Sequence, residues 1–452
     1  MSGATTAMRA LTQNAERSLG RSDSEPEQVR PLSVLVVGQG YVGLPLAVRA
    51  ALVGHKVVGF DSDVRRVGSL IDGVSPIGDV SSAQLAALLR AGTYLPTTVP
   101  ADGSGFDVAV IAVPTPLRQG APDLSDLIAA GRTVGRHLRK GALVVLESTS
   151  YPGTTRDVLG PVLAEASGLT MGSEFALGFS PERIDPGNRV WTLQTTPKIV
   201  SGIDAASLER TAAFYRYMVD HVVPVGRCEE AELAKLIENV FRAVNIALVN
   251  ELAEMARDTG LNLREALGAA DTKPFGFLRF DPGPGIGGHC LPIDPVYLSW
   301  WAARARGRGS RLIDLAAQIN ADRPAYVVNR LAQHLAQGGR DLDNARVLLL
   351  GLAYKPGCGD LRESPALEVA RMLTERGVQV SAADQFVDEG SAALDGLRMV
   401  RADEDEIAAA DAVVLLTDHD GFDYERVLAG AAFVLDCRGR LVNSAVPVVE
   451  QL

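Results

Sequence analysis

The chain has 452 residues, 47% of them hydrophobic, which at roughly 150 residues per domain supplies cores for about three domains and excludes disorder throughout. Its 44 Lys+Arg are outnumbered by 55 Asp+Glu, and a net charge of −11 opposes general attraction to nucleic acid or to an anionic membrane surface. No apolar run approaches the roughly 18 residues of a membrane span, and the first 30 residues lack the apolar centre of a signal peptide. A soluble, cytoplasmic chain with no nucleic-acid or membrane partner is expected.

In chain order, residues 1–30 lack periodicity and read as a mobile tail. Ser33–Val37 is a buried-strand run ended by glycines, Tyr41–Val53 a packed helix, and Lys56–Phe60 a second strand. Apolar runs at Asp107–Val113, Ala142–Leu146 and Phe175–Phe179, with a helix over Leu124–Arg139, complete the alternation of a doubly wound sheet that ends near Val225. Ala231–Thr259 is long, apolar-periodic and free of proline, and predicts a long helix in a helical middle domain. Strand runs return at Val347–Leu350, Val378–Ala382, Ala412–Leu416 and Phe433–Leu435. The expected architecture is α/β: a Rossmann-like parallel-sheet domain over 31–225, a central helical domain over 226–325, and a second Rossmann-like domain over 326–452.

Gly38-Gln39-Gly40-Tyr41-Val42-Gly43 joins a predicted strand to a predicted helix, the setting in which G-x-G-x-x-G binds a dinucleotide. Gly38 allows the tight turn, Gly40 the approach of a pyrophosphate and Gly43 close packing of helix on strand, while the helix N-terminus supplies positive charge. Asp61, 18 residues after Gly43, suits a ribose hydroxyl pair and repels a 2′-phosphate, so NAD is expected over NADP despite Arg65 and Arg66 nearby. A plain glycine turn beside a solvated aspartate is the bland alternative.

Four cysteines, Cys228, Cys290, Cys358 and Cys437, stand far apart, and buried filler is the default role of each. Cys290 is set apart by its surroundings, Gly283-Pro284-Gly285-Ile286-Gly287-Gly288-His289-Cys290-Leu291-Pro292-Ile293-Asp294, where glycines let a ligand approach the main chain. A helical turn after Cys290 would bring Cys290 and Asp294 to one face and favour thiolate. A packing cysteine, with Asp294 capping the next helix, meets the same spacing. Lys235, Asn239 and Arg242 share one face of the long helix, either toward a pocket, where Lys235 steadies an alkoxide, or toward water.

Together these segments resemble the UDP-glucose/GDP-mannose dehydrogenase family from Leu32 to Leu441. The match runs in order through GQGYVGLPLA, VPTP (Val113–Pro116), ESTSYPGTT (Glu147–Thr155), FSPERIDPGN (Phe179–Asn188), the Ala231–Glu251 helix, TKPFGF, PGPGIGGHCLPIDP and GLAYKPGCGDLRESP (Gly351–Pro365). The resemblance implies four-electron oxidation of a primary alcohol to a carboxylate with two NAD. By it, a water held by Thr149 and Asp294 takes the C6 hydroxyl proton, Lys235 and Asn239 steady the oxyanion, and hydride passes to NAD. Cys290 then attacks the aldehyde, a second hydride leaves the thiohemiacetal, and Glu182 assists hydrolysis of the thioester. This route calls for surroundings that favour a Cys290 thiolate.

The resemblance further implies that Gly38, Gly40, Tyr41, Val42, Gly43, Asp61, Arg66, Val113, Thr115, Ser148, Thr149 and Arg362 hold NAD. Glu182, Arg183, Lys235, Asn239, Phe280, Gly285, Gly287, Lys355 and Arg438 are implied around the UDP-sugar, and no metal is implied. His289 and Ile293 lead away from UDP-glucose and toward a UDP-N-acetylhexosamine, UDP-N-acetylglucosamine nearest and UDP-N-acetylmannosamine next. Asp281 departs from the aromatic residue usual there, the Glu147–Tyr151 stretch is slightly altered, and Cys358 is an unusual but neutral replacement. The alternatives are UDP-glucose as substrate, a two-electron oxidation on the same scaffold, and a non-catalytic nucleotide-sugar binder. The apolar surplus of the long helix, Val244, Ile246, Ala247, Leu248 and Val249, predicts a homodimer through that helix.

Overall fold

Short runs of β-branched and aliphatic residues flanked by glycine and proline form two large sheets, beside a small hairpin of Leu117–Arg118 and Ala121–Pro122, in a computed structural model that describes residues 30–184, 188, 190–441 and 449–452. The tail expected over 1–30 lies outside the described residues except for Arg30, as do residues 185–187 of the FSPERIDPGN segment. Among the described residues the first sheet contains β1 (Ser33–Val37), β2 (Lys56–Phe60), β3 (Tyr94–Thr97), β4 (Val108–Ile111), β5 (Leu143–Leu146), β6 (Ala176–Phe179), β7 (Lys198–Gly202) and β8 (Val222–Val225). They lie in the order β8-β7-β6-β5-β4-β1-β2-β3, parallel except where β6 meets β7. β4, β5 and β6 are buried on both faces, which is why they read as unbroken apolar runs.

β3, β7 and β8 are additions to the sequence reading. Pro96 and Pro224 sit in the two edge strands, β3 and β8, where the missing N–H leaves no central ladder unpaired. Proline masks a strand in sequence while being harmless at an edge.

The second sheet is built from β9 (Arg346–Leu350), β10 (Gln379–Ala383), β11 (Arg398–Met399), β12 (Ala412–Leu415), β13 (Val434–Asp436) and β14 (Val449–Gln451). Its order is β11-β10-β9-β12-β13-β14, parallel throughout the described pairs. In each sheet the order reverses beside a first strand, β1 or β9, and the crevice at the strand ends there is where ligands of open α/β sheets bind.

Helices fill the middle: the long helix Cys228–Asp258, then Leu263–Asp271, Asp294–Arg306 and Arg311–Gln337. The last crosses the expected 325/326 boundary unbroken, with Pro324 inside it. A buried polar network fixes the glycine-rich segment to two of these helices. Asn250 Oδ1 accepts from Gly283 N at 2.9 Å, Asn250 Nδ2 donates to Asn320 at 3.2 Å, and Arg323 Nε donates to Gly283 O at 3.2 Å. Asn320 also donates to Ala243 O at 2.9 Å, while Arg323 Nη2 is buried without a hydrogen-bond partner among the described residues. No helix among the described residues is long and apolar enough to cross a membrane.

Candidate active site

The strand-to-helix turn after β1 gives the three glycines different surroundings. Gly38 has φ +91°, and a Cβ there would lie 2.3 Å from Ala112 O; at Gly43 it would lie 1.9 Å from Gly38 O. Neither position admits a side chain. Gly40 has nothing within 4 Å on that side, leaving open space over the helix N-terminus. The first turn of helix Gly43–Leu52 carries no acidic residue and its N-cap makes no side-chain bond, but Leu44 N and Leu46 N already donate to Gly40 O and Val42 O, at 3.1 and 3.4 Å.

Asp61, at the end of β2, is buried. Its Oδ2 accepts from Gln39 N at 2.7 Å and Arg66 at 2.8 Å, and its Oδ1 from Asp63 N at 2.9 Å. Oδ1 retains acceptor capacity for a ribose hydroxyl, while Arg66 is drawn onto Asp61. Gln39, which sequence reasoning passed over, props the turn from beneath through Val36 O at 3.0 Å and Tyr94 at 2.8 Å. The loops after β4 and β5 meet beside it. Ser148 Oγ bonds Val113 N at 2.9 Å and Val113 O at 2.8 Å, and Thr115 Oγ1 donates to Thr149 O at 2.7 Å.

Two anchors tie this edge of the sheet to the helices. Glu232 accepts from Gly153 N at 2.6 Å and from Thr155 N and Oγ1 at 2.8 and 2.6 Å, gripping the loop just beyond Thr149. Burial pushes its carboxyl up to about 7. Tyr297 donates to Thr115 O at 3.0 Å from helix Asp294–Arg306. Glu232 is three residues before Lys235, so the loop carrying Thr149 and the helix carrying Lys235 are held in register.

Lys235, Asn239 and Asp294 are 8%, 5% and 4% exposed, so the water-facing alternative is excluded for the first two, and Asp294 does not cap the next helix, whose N-cap is Ile293. Asn239 Nδ2 donates to Asp294 Oδ2, and helix Asp294–Arg306 starts without a side-chain cap. Burial pushes the Asp294 carboxyl up to about 6 against the pull of Lys235 and Asn239. Arg242, on the same helix, is exposed.

Cys290 lies just before that helix, in a turn where its carbonyl accepts from Asp294 N at 2.9 Å. Burial and the Asp294 charge raise its thiol pKa above the ordinary value, outweighing Lys235, Arg362 and Arg242. The expectation of surroundings that favour thiolate is therefore corrected: the cations converge on the sulfur, but desolvation wins. Burial together with Arg362 lowers the His289 pKa, which favours its neutral ring.

The glycines beside Cys290 accommodate protein as well as ligand. A Cβ at Gly287 would lie 2.7 Å from Glu363 O, and one at Gly288, φ +82°, 2.9 Å from the Tyr354 ring. At Gly285, φ +137°, it would meet Pro365 at 3.0 Å. On that side Gly287 and Gly288 meet the loop after β9, and Gly285 meets the helix that begins at Pro365 together with Asn320 and Arg323 of helix Arg311–Gln337. Gly288 N donates to Arg362 O at 2.9 Å, while the Arg362 guanidinium, paired with Asp360, stands over the Tyr41 ring at 4.9 Å. Arg362 therefore touches both the glycine turn after β1 and the cysteine segment.

Glu182, after β6, accepts from Arg183 N and Ile184 N, each at 2.6 Å, and Arg183 reaches the long helix through Glu238 at 2.6 Å. Phe280 packs edge-on against Phe241 at 5.8 Å. Arg438, at the end of β13, donates to Leu416 O at 2.6 Å and lines a 630 Å³ cavity with Arg264, Arg279, Asp281 and Asp418. The departure Asp281 pairs there with Arg279 at 2.9 Å. Lys355 is half-buried in the loop after β9, where its carbonyl accepts from Cys358 Sγ at 3.4 Å. Among the described residues no cluster of His, Cys, Asp and Glu is placed to hold a metal.

Models of three domains of one family match in succession: the NAD binding domain over residues 32–219, the central domain over 229–322 and the UDP binding domain over 348–443. The chain belongs to the UDP-glucose/GDP-mannose dehydrogenase family. Its relatives within the family include UDP-N-acetyl-D-glucosamine 6-dehydrogenase of Pseudomonas aeruginosa, 38% identical over 79% of this chain and 84% of that one. Protein CapL of Staphylococcus aureus is 35% identical over 93% and 99% of the two chains. Among solved structures, a UDP-D-ManNAc dehydrogenase of Pyrococcus horikoshii superposes with TM-score 0.83 at 32% identity, covering 92% of this chain and 98% of the other. NAD is the cofactor of this dehydrogenase, and the open face of Gly40 with buried Asp61 fits it.

Asp61→Asn should raise KM for NAD about ten-fold, the loss of one charge-assisted hydrogen bond, and narrow the preference for NAD over NADP. Initial rates with each cofactor measure both.

Proposed function

We propose that this dehydrogenase oxidises the C6 primary alcohol of a UDP-N-acetylhexosamine to the uronic acid, using two NAD per sugar. The observation that carries it is the convergence of Lys235, Asn239 and Asp294 on the Cys290 turn, an assembly a pure binder does not need. Bound NAD accepts the two hydrides. Thr149 and Asp294 orient the water that takes the hydroxyl proton, and Lys235 and Asn239 stabilise the developing oxyanion. Cys290 holds the C6 carbon between oxidations, and Glu182 serves the final hydrolysis. Arg183, Phe280, Lys355 and Arg438 border the nucleotide sugar. The P. aeruginosa and P. horikoshii relatives, named for N-acetylglucosamine and N-acetylmannosamine, support an N-acetylhexosamine.

A panel of UDP- and GDP-sugars, with NADH counted per sugar and products weighed by mass spectrometry, tests this. Two NADH per UDP-N-acetylhexosamine are expected. One NADH per sugar, preference for UDP-glucose, or no turnover would each replace the proposal with one of its rivals.

A homodimer through the long helix accompanies this reading. Ile237, Phe241, Leu248 and Met255 are exposed at spacings of four, seven and seven, one continuous apolar stripe. Of the residues singled out from sequence, Leu248 lies on it, whereas Ala247 and Val249 face inward. Leu248→Glu should convert a dimer to a monomer in sedimentation at micromolar concentration; a wild-type monomer would refute the dimer. A cytoplasmic setting fits the four free cysteines.

A further inference from the structure

Behind Glu182 lies a charged cluster that the reaction as described leaves unused. Lys198, at the start of β7, is 3% exposed, and its Nζ stands 2.9 Å from Glu147 Oε1, 3.5 Å from Glu182 Oε2 and 3.2 Å from Pro181 O. Glu147, at the end of β5, accepts from the Tyr215 hydroxyl on the same Oε1 that faces Lys198, and the Tyr215 ring lies 5.3 Å from the ammonium. One cation thus serves two carboxylates. Glu147 and Glu182 outweigh burial and keep the Lys198 ammonium above its ordinary pKa.

The two carboxylates are not equivalent. The Glu147 side chain is wholly buried, while that of Glu182 is 13% exposed. Glu182 Oε1 is committed to the N–H groups of Arg183 and Ile184, and Oε2 faces Lys198 at a distance that leaves a lone pair available. A buried ion pair is a poor source of stability by itself. An ammonium fixed from behind is a good means of holding one carboxylate rotamer at a surface.

We infer that Lys198, backed by Glu147, is the positioning residue for Glu182 in hydrolysis of the acyl group on Cys290. This rests on the proposed role of Glu182. In that step a water oxygen bonds to the acyl carbon, the water proton passes to Glu182, and the C–S bond breaks with its electron pair returning to sulfur. The preceding hydride losses do not involve Lys198.

The test uses the full chain with NAD and UDP-N-acetylglucosamine or UDP-N-acetylmannosamine, whichever turns over. Lys198→Met should keep a rapid NADH burst while slowing the steady state about ten-fold, with KM for the sugar within about two-fold. Intact mass should show an acyl adduct lost in Cys290→Ala, and Lys198→Arg should restore turnover. If Lys198→Met fails to fold, Glu147→Gln/Lys198→Met, which leaves no unpaired buried charge, carries the same test. Burst and steady state slowed equally, or no adduct in the folded variant, would overturn the inference. Glu182→Gln separates the two claims: no adduct there sinks the role of Glu182 itself, whereas an adduct there and none with Lys198 replaced sinks only the positioning role.

Discussion

Replacing Cys290 by serine should abolish uronic acid formation, lowering the steady-state rate by about 10³-fold or more, as expected when a nucleophile is lost. In the proposed route the first oxidation does not need the sulfur, so single-turnover NADH formation should persist and an aldehyde should be recoverable with a carbonyl-trapping amine. NADH per sugar should fall from two toward one. Full carboxylate at the wild-type rate would remove the covalent route. Because burial raises the Cys290 thiol pKa, the second oxidation should also accelerate as pH rises above neutrality, a slope absent from the first.

Asp294→Asn should lower kcat by about 10²-fold and erase the acid limb of the pH profile. The Asp294 carboxyl is pushed up to about 6 by burial, so in the wild type kcat/KM should fall below about pH 6 as the proton returns and the carboxylate is lost. The same shift predicts an opposite effect on stability. A carboxyl raised in the folded state binds its proton more tightly there than in the unfolded chain, so stability declines as pH rises from about 4 to about 6 and stays lower above. The asparagine variant escapes this cost and should melt higher at pH 7–8. An acid limb that survives the substitution would assign the titration elsewhere.

Much of the fold was legible because its signals are local. β1, β2 and the long helix Cys228–Asp258 follow from apolar runs and from periodicity without proline, and three glycines with distinct tasks announce the turn after β1. The candidate site was legible where chemistry is concentrated in a short segment, as around Cys290. What escaped was assembled from distant parts. Glu147, Lys198 and Tyr215 each stand alone in sequence, at a strand end, a strand start and inside a helix, and their meeting depends on β5 and β7 flanking β6. Glu232 reads as an ordinary helix charge until the loop after β5 folds onto it. The balance of burial against cations at Cys290 is likewise a property of packing, since spacing names the neighbours without saying how much water they displace.

The two contacts of Arg362 differ in kind. Its main chain holds Gly288, in the cysteine segment, by a hydrogen bond, while its guanidinium only stacks on Tyr41 of the turn after β1. The stacked ring can part from the guanidinium without breaking the main-chain bond, so the cysteine segment can keep its anchor whether or not the glycine turn stays in contact.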